Sequence, residues 1–150
     1  MRIWVDADAC PVPVRDILFR AARRTGIRLT LVANHPLHIP SSVPVDFMQV
    51  EAGFDMADNA IVQHMQPGDL VITSDIPLAA EVINRDGLAL SPRGECYTAD
   101  NIAARLQMRN MMDSLRASGI TTGGPAAFSA ANRKAFADQL DRLLTRLGKT

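Results

Sequence analysis

The sequence predicts an α/β fold, a three-layer, Rossmann-like arrangement with a parallel sheet of about five strands, helices on both faces and further helices at the C-terminal end. Three observations carry this. Strand-like and helix-like stretches alternate along most of the chain. The strand-like runs are apolar at successive positions, as in strands covered on both faces. Two of them stay apolar until they meet an aspartate, which places carboxylates at the strand ends where open parallel sheets bind ligands.

The elements follow in order. Arg2-Ile3-Trp4-Val5 is a short β-favouring run that ends at Asp6-Ala7-Asp8. A helix comes next, with Pro11 and Pro13 suited to its first turn, Val14, Ile17, Leu18, Ala21 and Ala22 at helical spacing, and Gly26 fit to close it. The second strand is Arg28 to Ala33. A loop from Asn34 to Pro44, rich in Pro, His and Ser, leads to a third strand around Val45 to Val50, and Gly53 breaks it. Asp55 to Val62 has helical spacing with acids at its opening, and Pro67-Gly68 ends that helix. Asp69 to Asp75 is the clearest strand, Pro77 starts a helix through Ile83, and Gly87 to Ser91 is a fifth strand. Beyond Pro92 the sequence reads as helical: Asn101 to Ala117, a Gly-rich connection at 119–125, and a last helix from Ser129 to Leu147. Phe136, Leu140, Leu143, Leu144 and Leu147 form an apolar stripe that belongs in the core. Residues 1–150 thus read as one domain, with an α/β core at 1–92 and a helical part at 93–150.

Composition narrows the function. The chain has 150 residues, a hydrophobic share of 47% and zero formal net charge, so one ordinary core suffices and nucleic acid is not held by bulk electrostatics alone. The opening residues lack a signal peptide's order and no apolar stretch approaches membrane-spanning length, so the expected location is the cytosol, away from membranes. Two cysteines, Cys10 and Cys96, make a disulfide framework improbable. All but two of the sixteen basic residues are Arg, whose planar fork suits phosphate oxygens.

Chemistry concentrates in the aspartates. Asp6 and Asp75 meet at the carboxyl edge if their strands are neighbours, and Asp55 and Asp58, three apart on a helix, share a face that can point at the same crevice. Any one of these residues alone reads as a turn former or cap. Together they repel unless a cation neutralises them, which points to hard Mg²⁺ or Mn²⁺. Asp16, Asp46, Asp69, Asp86, Asp113, Asp138 and Asp141 read as surface or turn residues.

Val5-Asp6-Ala7-Asp8-Ala9-Cys10-Pro11, Asp55-Met56-Ala57-Asp58-Asn59-Ala60-Ile61, Thr73-Ser74-Asp75-Ile76-Pro77-Leu78-Ala79, Arg93-Gly94, Gly124-Pro125 and Phe128-Ser129 together resemble the uncharacterised bacterial YaiI/YqxD family over almost the whole chain. That family is similar to the PIN-like nucleases. The resemblance implies a PIN-like sheet, Asp6, Asp58 and Asp75 as catalytic metal ligands, Ser74 in the polar position before the last acid, and RNA as the substrate. For a fourth acid, Asp8, Glu51 and Asp55 compete.

Other signals are weaker. Cys10 and Arg15 are one residue too close for the phosphatase loop of Cys, five residues, then Arg, so Cys10 reads as a packed thiol. His35, His38 and His64 read as surface or capping residues. Arg105, Arg109 and Arg116 share a helix side and Arg93 lies near the expected crevice, so with Ser74 these are the candidates for phosphate contact. The leading function is a metal-dependent nuclease. The alternatives are a haloacid-dehalogenase-like phosphatase with Asp6 as nucleophile and a non-catalytic RNA-binding PIN-like module.

Overall fold

The structure, a computed structural model, describes residues 1–53, 55–120 and 127–148. Most of the Gly-rich connection, including Gly124-Pro125, lies outside the described residues. The strands are β1 (Arg2–Asp6), β2 (Arg28–Ala33), β3 (Val45–Gln49), β4 (Leu70–Ile72), β5 (Leu88–Leu90) and β6 (Cys96–Tyr97). The helices are α1 (Val12–Thr25), α2 (Met56–His64), α3 (Ile76–Asn84), α4 (Ile102–Ala117) and α5 (Ala130–Arg146). A 3-10 turn spans Ala7–Ala9. No described helix is long and apolar enough to cross a membrane.

One sheet runs β3-β2-β1-β4-β5-β6. Every pairing is parallel except β5 with β6, where Leu90 faces Cys96 and Ala89 faces Tyr97. The expected α/β class is therefore present, with a sixth strand inside the segment read as helical. β6 escapes a reading by pattern because two residues carry no period; its register comes from the turn joining it to β5.

Alternation along β1 sends Ile3 and Val5 to one face and Trp4 to the other, and all three are buried. The first face packs on α1 through Val14 and Leu18 and on α5 through Phe136, Leu140, Leu143 and Leu144. The apolar stripe of the last helix is thus core, apart from Leu147 at the helix end, which is exposed. The second face packs Trp4, Val32 and Val71 against Ile61 of α2 and Leu78 and Val82 of α3. α1 ends as its sequence dictates: Gly26 adopts φ +74°, and its N–H donates to the Ala22 carbonyl at 2.8 Å.

Asp69, expected as a surface or turn residue, closes the turn from Gln66, its N–H donating to the Gln66 carbonyl at 3.1 Å, but it does not lie on the surface. It is buried, and its carboxylate accepts from the backbone N–H of Arg2 (2.9 Å), the indole Nε1 of Trp4 (3.0 Å) and the backbone N–H of Gln66 (2.9 Å). This pins the start of β4 to β1 at the edge opposite the strand-end acids.

Candidate metal centre

From β1 the chain builds β2 and β3 on one side, then returns to build β4, β5 and β6 on the other. The order reverses between β1 and β4, and such a reversal opens a crevice beyond the strands' carboxyl ends. Asp6 is the last residue of β1, and Thr73, Ser74 and Asp75 follow β4 directly. Parallel pairing of Val5 with Ile72 sets these two strand ends side by side.

Asp75 has two jobs at this edge. It is the N-cap of α3, where Oδ1 accepts from the Leu78 N–H at 2.9 Å, and its carboxylate also joins a group of acids. Asp55 begins α2 in the left-handed region at φ 61° and makes no side-chain cap bond, so its carboxylate is not used by its own helix. Asp58 sits in the first turn of α2. One carboxylate oxygen from each of Asp55, Asp58 and Asp75 lies within 4.8 Å of the others.

The electrostatics record this crowding. Asp58 is pushed up from 3.8 to about 7, first by burial, then by the charges of Asp75 and Asp6, by a hydrogen bond to Asp75 and by Asp55. A carboxyl hydrogen-bonded to another carboxyl must keep a proton or share a cation. Asp6 is also raised, chiefly by burial and further by Asp75 and Asp8; the Thr73 hydroxyl, donating to Asp6 Oδ2 at 3.2 Å, opposes the rise.

Asp6, Asp58 and Asp75, named from the sequence, are therefore electrostatic neighbours, but the tightest group contains Asp55 in place of Asp6. Asp8 points toward the end of β2, where Oδ2 accepts from the Asn34 N–H at 2.9 Å and Oδ1 lies 2.8 Å from His35 Nδ1. Thr73 was missed by the sequence reading, although it stands in the same strand-end triplet as Ser74 and Asp75. Cys10 is buried and its thiol is pushed up to about 12 by burial, partly offset by Arg15, as suits a packed, unreactive thiol.

On the α2–α3 side Asp55 and Asp58 line a depression of about 280 Å³ together with Asn59, Glu81 and Arg85. On the other side of Ser74 and Ile76 lies a larger groove of about 710 Å³. Ser74, Arg93 and Arg105 line it, together with Ser91, Tyr97 and Arg116. Arg109 is not among its lining residues and pairs instead with Asp113 at 3.2 Å.

Comparison with known proteins adds kinship. A family profile described as an uncharacterised YaiI/YqxD family matches residues 4–146. The UPF0178 proteins of Syntrophotalea carbinolica and Thioalkalivibrio sulfidiphilus are each 64% identical over 146 residues, covering 97% of this chain and 99% of theirs. That of Hydrogenovibrio crunogenus is 59% identical over 149 residues, covering 99% of both chains. Among solved structures, a mutant of Rae1 (YacP) from Bacillus subtilis overlaps 97% of this chain and 99% of its own at 20% identity, with a TM-score of 0.40.

Proposed function

The chain belongs to the YaiI/YqxD family, and we propose that it is a divalent-metal-dependent nuclease with a PIN-like fold that hydrolyses phosphodiester bonds in RNA. The observation that carries this reading is the convergence of Asp55, Asp58 and Asp75 within 4.8 Å, with Asp58 raised to about 7 by its neighbours. Such a group is costly when ionised and alone, and it is relieved by a cation. Its donors are all carboxylate oxygens, which fit hard Mg²⁺ or Mn²⁺ rather than a thiolate- or imidazole-seeking metal.

In this reading Asp55, Asp58 and Asp75 hold the cation, and Asp6, fixed by Thr73, adds negative charge from behind. When bound, a divalent cation supplies Lewis-acid polarisation of a phosphoryl oxygen and acidifies water. The chain's own residues do the rest: the carboxylates orient the attacking water and accept its proton, while Ser74, Arg93 and Arg105 position the phosphate backbone.

The phosphatase alternative draws less support. Asp8, its required second acid, is engaged by Asn34 and His35. Lys134, the lysine within the described residues, pairs with Asp138 on α5 at 3.2 Å. Single-stranded RNA incubated with purified protein and Mn²⁺ tests the proposal. Cleavage abolished by EDTA and by Asp58→Asn supports it; RNA bound but left intact under all metal conditions contradicts it and leaves the non-catalytic module.

A further inference from the structure

The groove beyond Ser74 has a mixed lining. Pro11, Ile76, Met112 and Phe128 supply apolar surface, while Arg93, Arg105 and Arg116 bring three guanidinium groups to the same space. Its volume of about 710 Å³ falls in the range of clefts for small ligands, about 300–1,000 Å³, and suits a short piece of one strand rather than a duplex.

The arginines are held in place, Arg116 by an ion pair of Nη1 with Asp113 Oδ1 at 2.8 Å. The turn from Ser91 to Glu95 is closed by the Ser91 hydroxyl, which accepts from the N–H groups of Arg93 (3.2 Å) and Glu95 (3.1 Å). Gly94 completes the turn at φ +89°, and a Cβ there would lie 2.6 Å from the backbone carbon of Ala135, so only glycine lets the turn seat against α5. Arg93 Nη1 donates to Asn132 Oδ1 at 3.4 Å, and Arg105 Nε lies 2.6 Å from Glu95 Oε1. Among the described residues, Glu95 is the one carboxylate lining this groove. The two side chains are partly exposed, although Glu95 Oε1 itself is buried, so a phosphate that takes Arg105 requires Glu95 to turn that oxygen out to solvent.

We infer that this groove holds a short single-stranded segment of nucleic acid beside the bond to be cut, with phosphates on Arg93, Arg105 and Arg116, bases against the apolar surface, and Glu95 as the resting partner that phosphate displaces from Arg105. The inference deepens the nuclease reading and rests on it for the identity of the ligand. Arginine forks supply charge-assisted contacts to phosphate, and an apolar surface accepts bases of any sequence.

The test uses the full chain in EDTA, so that binding is read without cleavage. The probe is a fluorescein-labelled RNA of about eight nucleotides, within the usual span of single-strand sites, followed by anisotropy at several salt concentrations, with each variant's melting curve as the control for folding. Arg93→Ala and Arg105→Ala should each weaken binding several-fold and lower the salt slope by about 0.7. Glu95→Gln should tighten binding, and Arg28→Ala, at the start of β2 and paired with Asp46, should leave it unchanged. The inference is overturned if Glu95→Gln weakens binding, if Arg28→Ala costs as much as Arg105→Ala, or if a nucleoside monophosphate binds as tightly as the oligonucleotide. Groove-dependent binding without cleavage under Mn²⁺ would uphold this inference and remove the nuclease. Cleavage indifferent to the three groove variants would do the reverse.

Discussion

The Thr73 hydroxyl donates to Asp6 Oδ2 at 3.2 Å, tying the residue after β4 to the last residue of β1. Thr73 Oγ1 in turn accepts from the Asp75 N–H at 3.0 Å, so one side chain sets the spacing of two of the strand-end acids. Thr73→Val keeps the shape and removes both bonds. It should cost about 1–3 kcal/mol, the range for leaving buried polar groups unpaired, measured by urea unfolding. It should also reduce metal-induced stabilisation, and Thr73→Ser should restore both. A valine variant with the parent's stability and metal response would show that the acids are placed by other means.

Asp69 makes a contrasting prediction at the opposite edge of the sheet. Its three hydrogen bonds from Arg2, Trp4 and Gln66 are structural, so Asp69→Ala should destabilise by roughly 2–4 kcal/mol without altering the increment conferred by Mn²⁺. Loss of that increment in a folded Asp69→Ala protein would mean that the two edges are coupled.

The last helix belongs to the core on the α1 side. Phe136 is fully buried there with Leu140, Leu143 and Leu144, and Phe136→Ala should cost about 3–5 kcal/mol. Removing everything after Gly124 should lower the melting temperature sharply. An unchanged melt of the truncated chain would show that α5 serves another purpose.

The pH response of the metal-free protein follows from Asp58. Its folded value of about 7 stands above the ordinary 3.8, so between these values the folded state holds a proton that the unfolded chain has released. This contribution is present at low pH and is lost as pH rises through about 7. In EDTA, then, stability should fall across this window by an amount that shrinks in Asp58→Asn, and the Mn²⁺-induced shift should grow as pH rises. Equal slopes in parent and Asp58→Asn would remove Asp58 as the source.

How much of this was legible in the sequence differs by scale. β1, β2 and α1 were readable because apolar runs, helical spacing and the Pro and Gly at their ends all agree. The neighbourhood of Asp6 and Asp75 followed from strand order alone, since any chain reversing between their strands brings those ends together. Helical spacing already set Asp55 beside Asp58, but it left Asp55 level with Asp8 and Glu51 as the further acid, because the choice depends on a left-handed backbone at φ 61° that no spacing rule supplies. Asp8 was equally opaque, since its partners Asn34 and His35 come from the end of β2. Periodicity put Arg105 and Arg109 on one helix side but could not tell which reaches the groove; that depends on Glu95, carried by a turn whose seat on α5 is a tertiary contact.

The most direct test of the account is a set of thermal melts of the parent, Asp58→Asn and Asp75→Asn, each in EDTA and in Mn²⁺. Asparagine at position 75 keeps a good N-cap for α3, so the variant removes charge rather than the cap. The parent should gain about 2.7 kcal/mol at a hundredfold excess of Mn²⁺ over its Kd. Both variants should lose most of that gain while remaining at least as stable as the parent in EDTA, because removing a charge relieves repulsion among Asp55, Asp58 and Asp75. No metal-dependent shift in the parent, or an undiminished shift in both variants, would contradict the metal centre and the nuclease built on it.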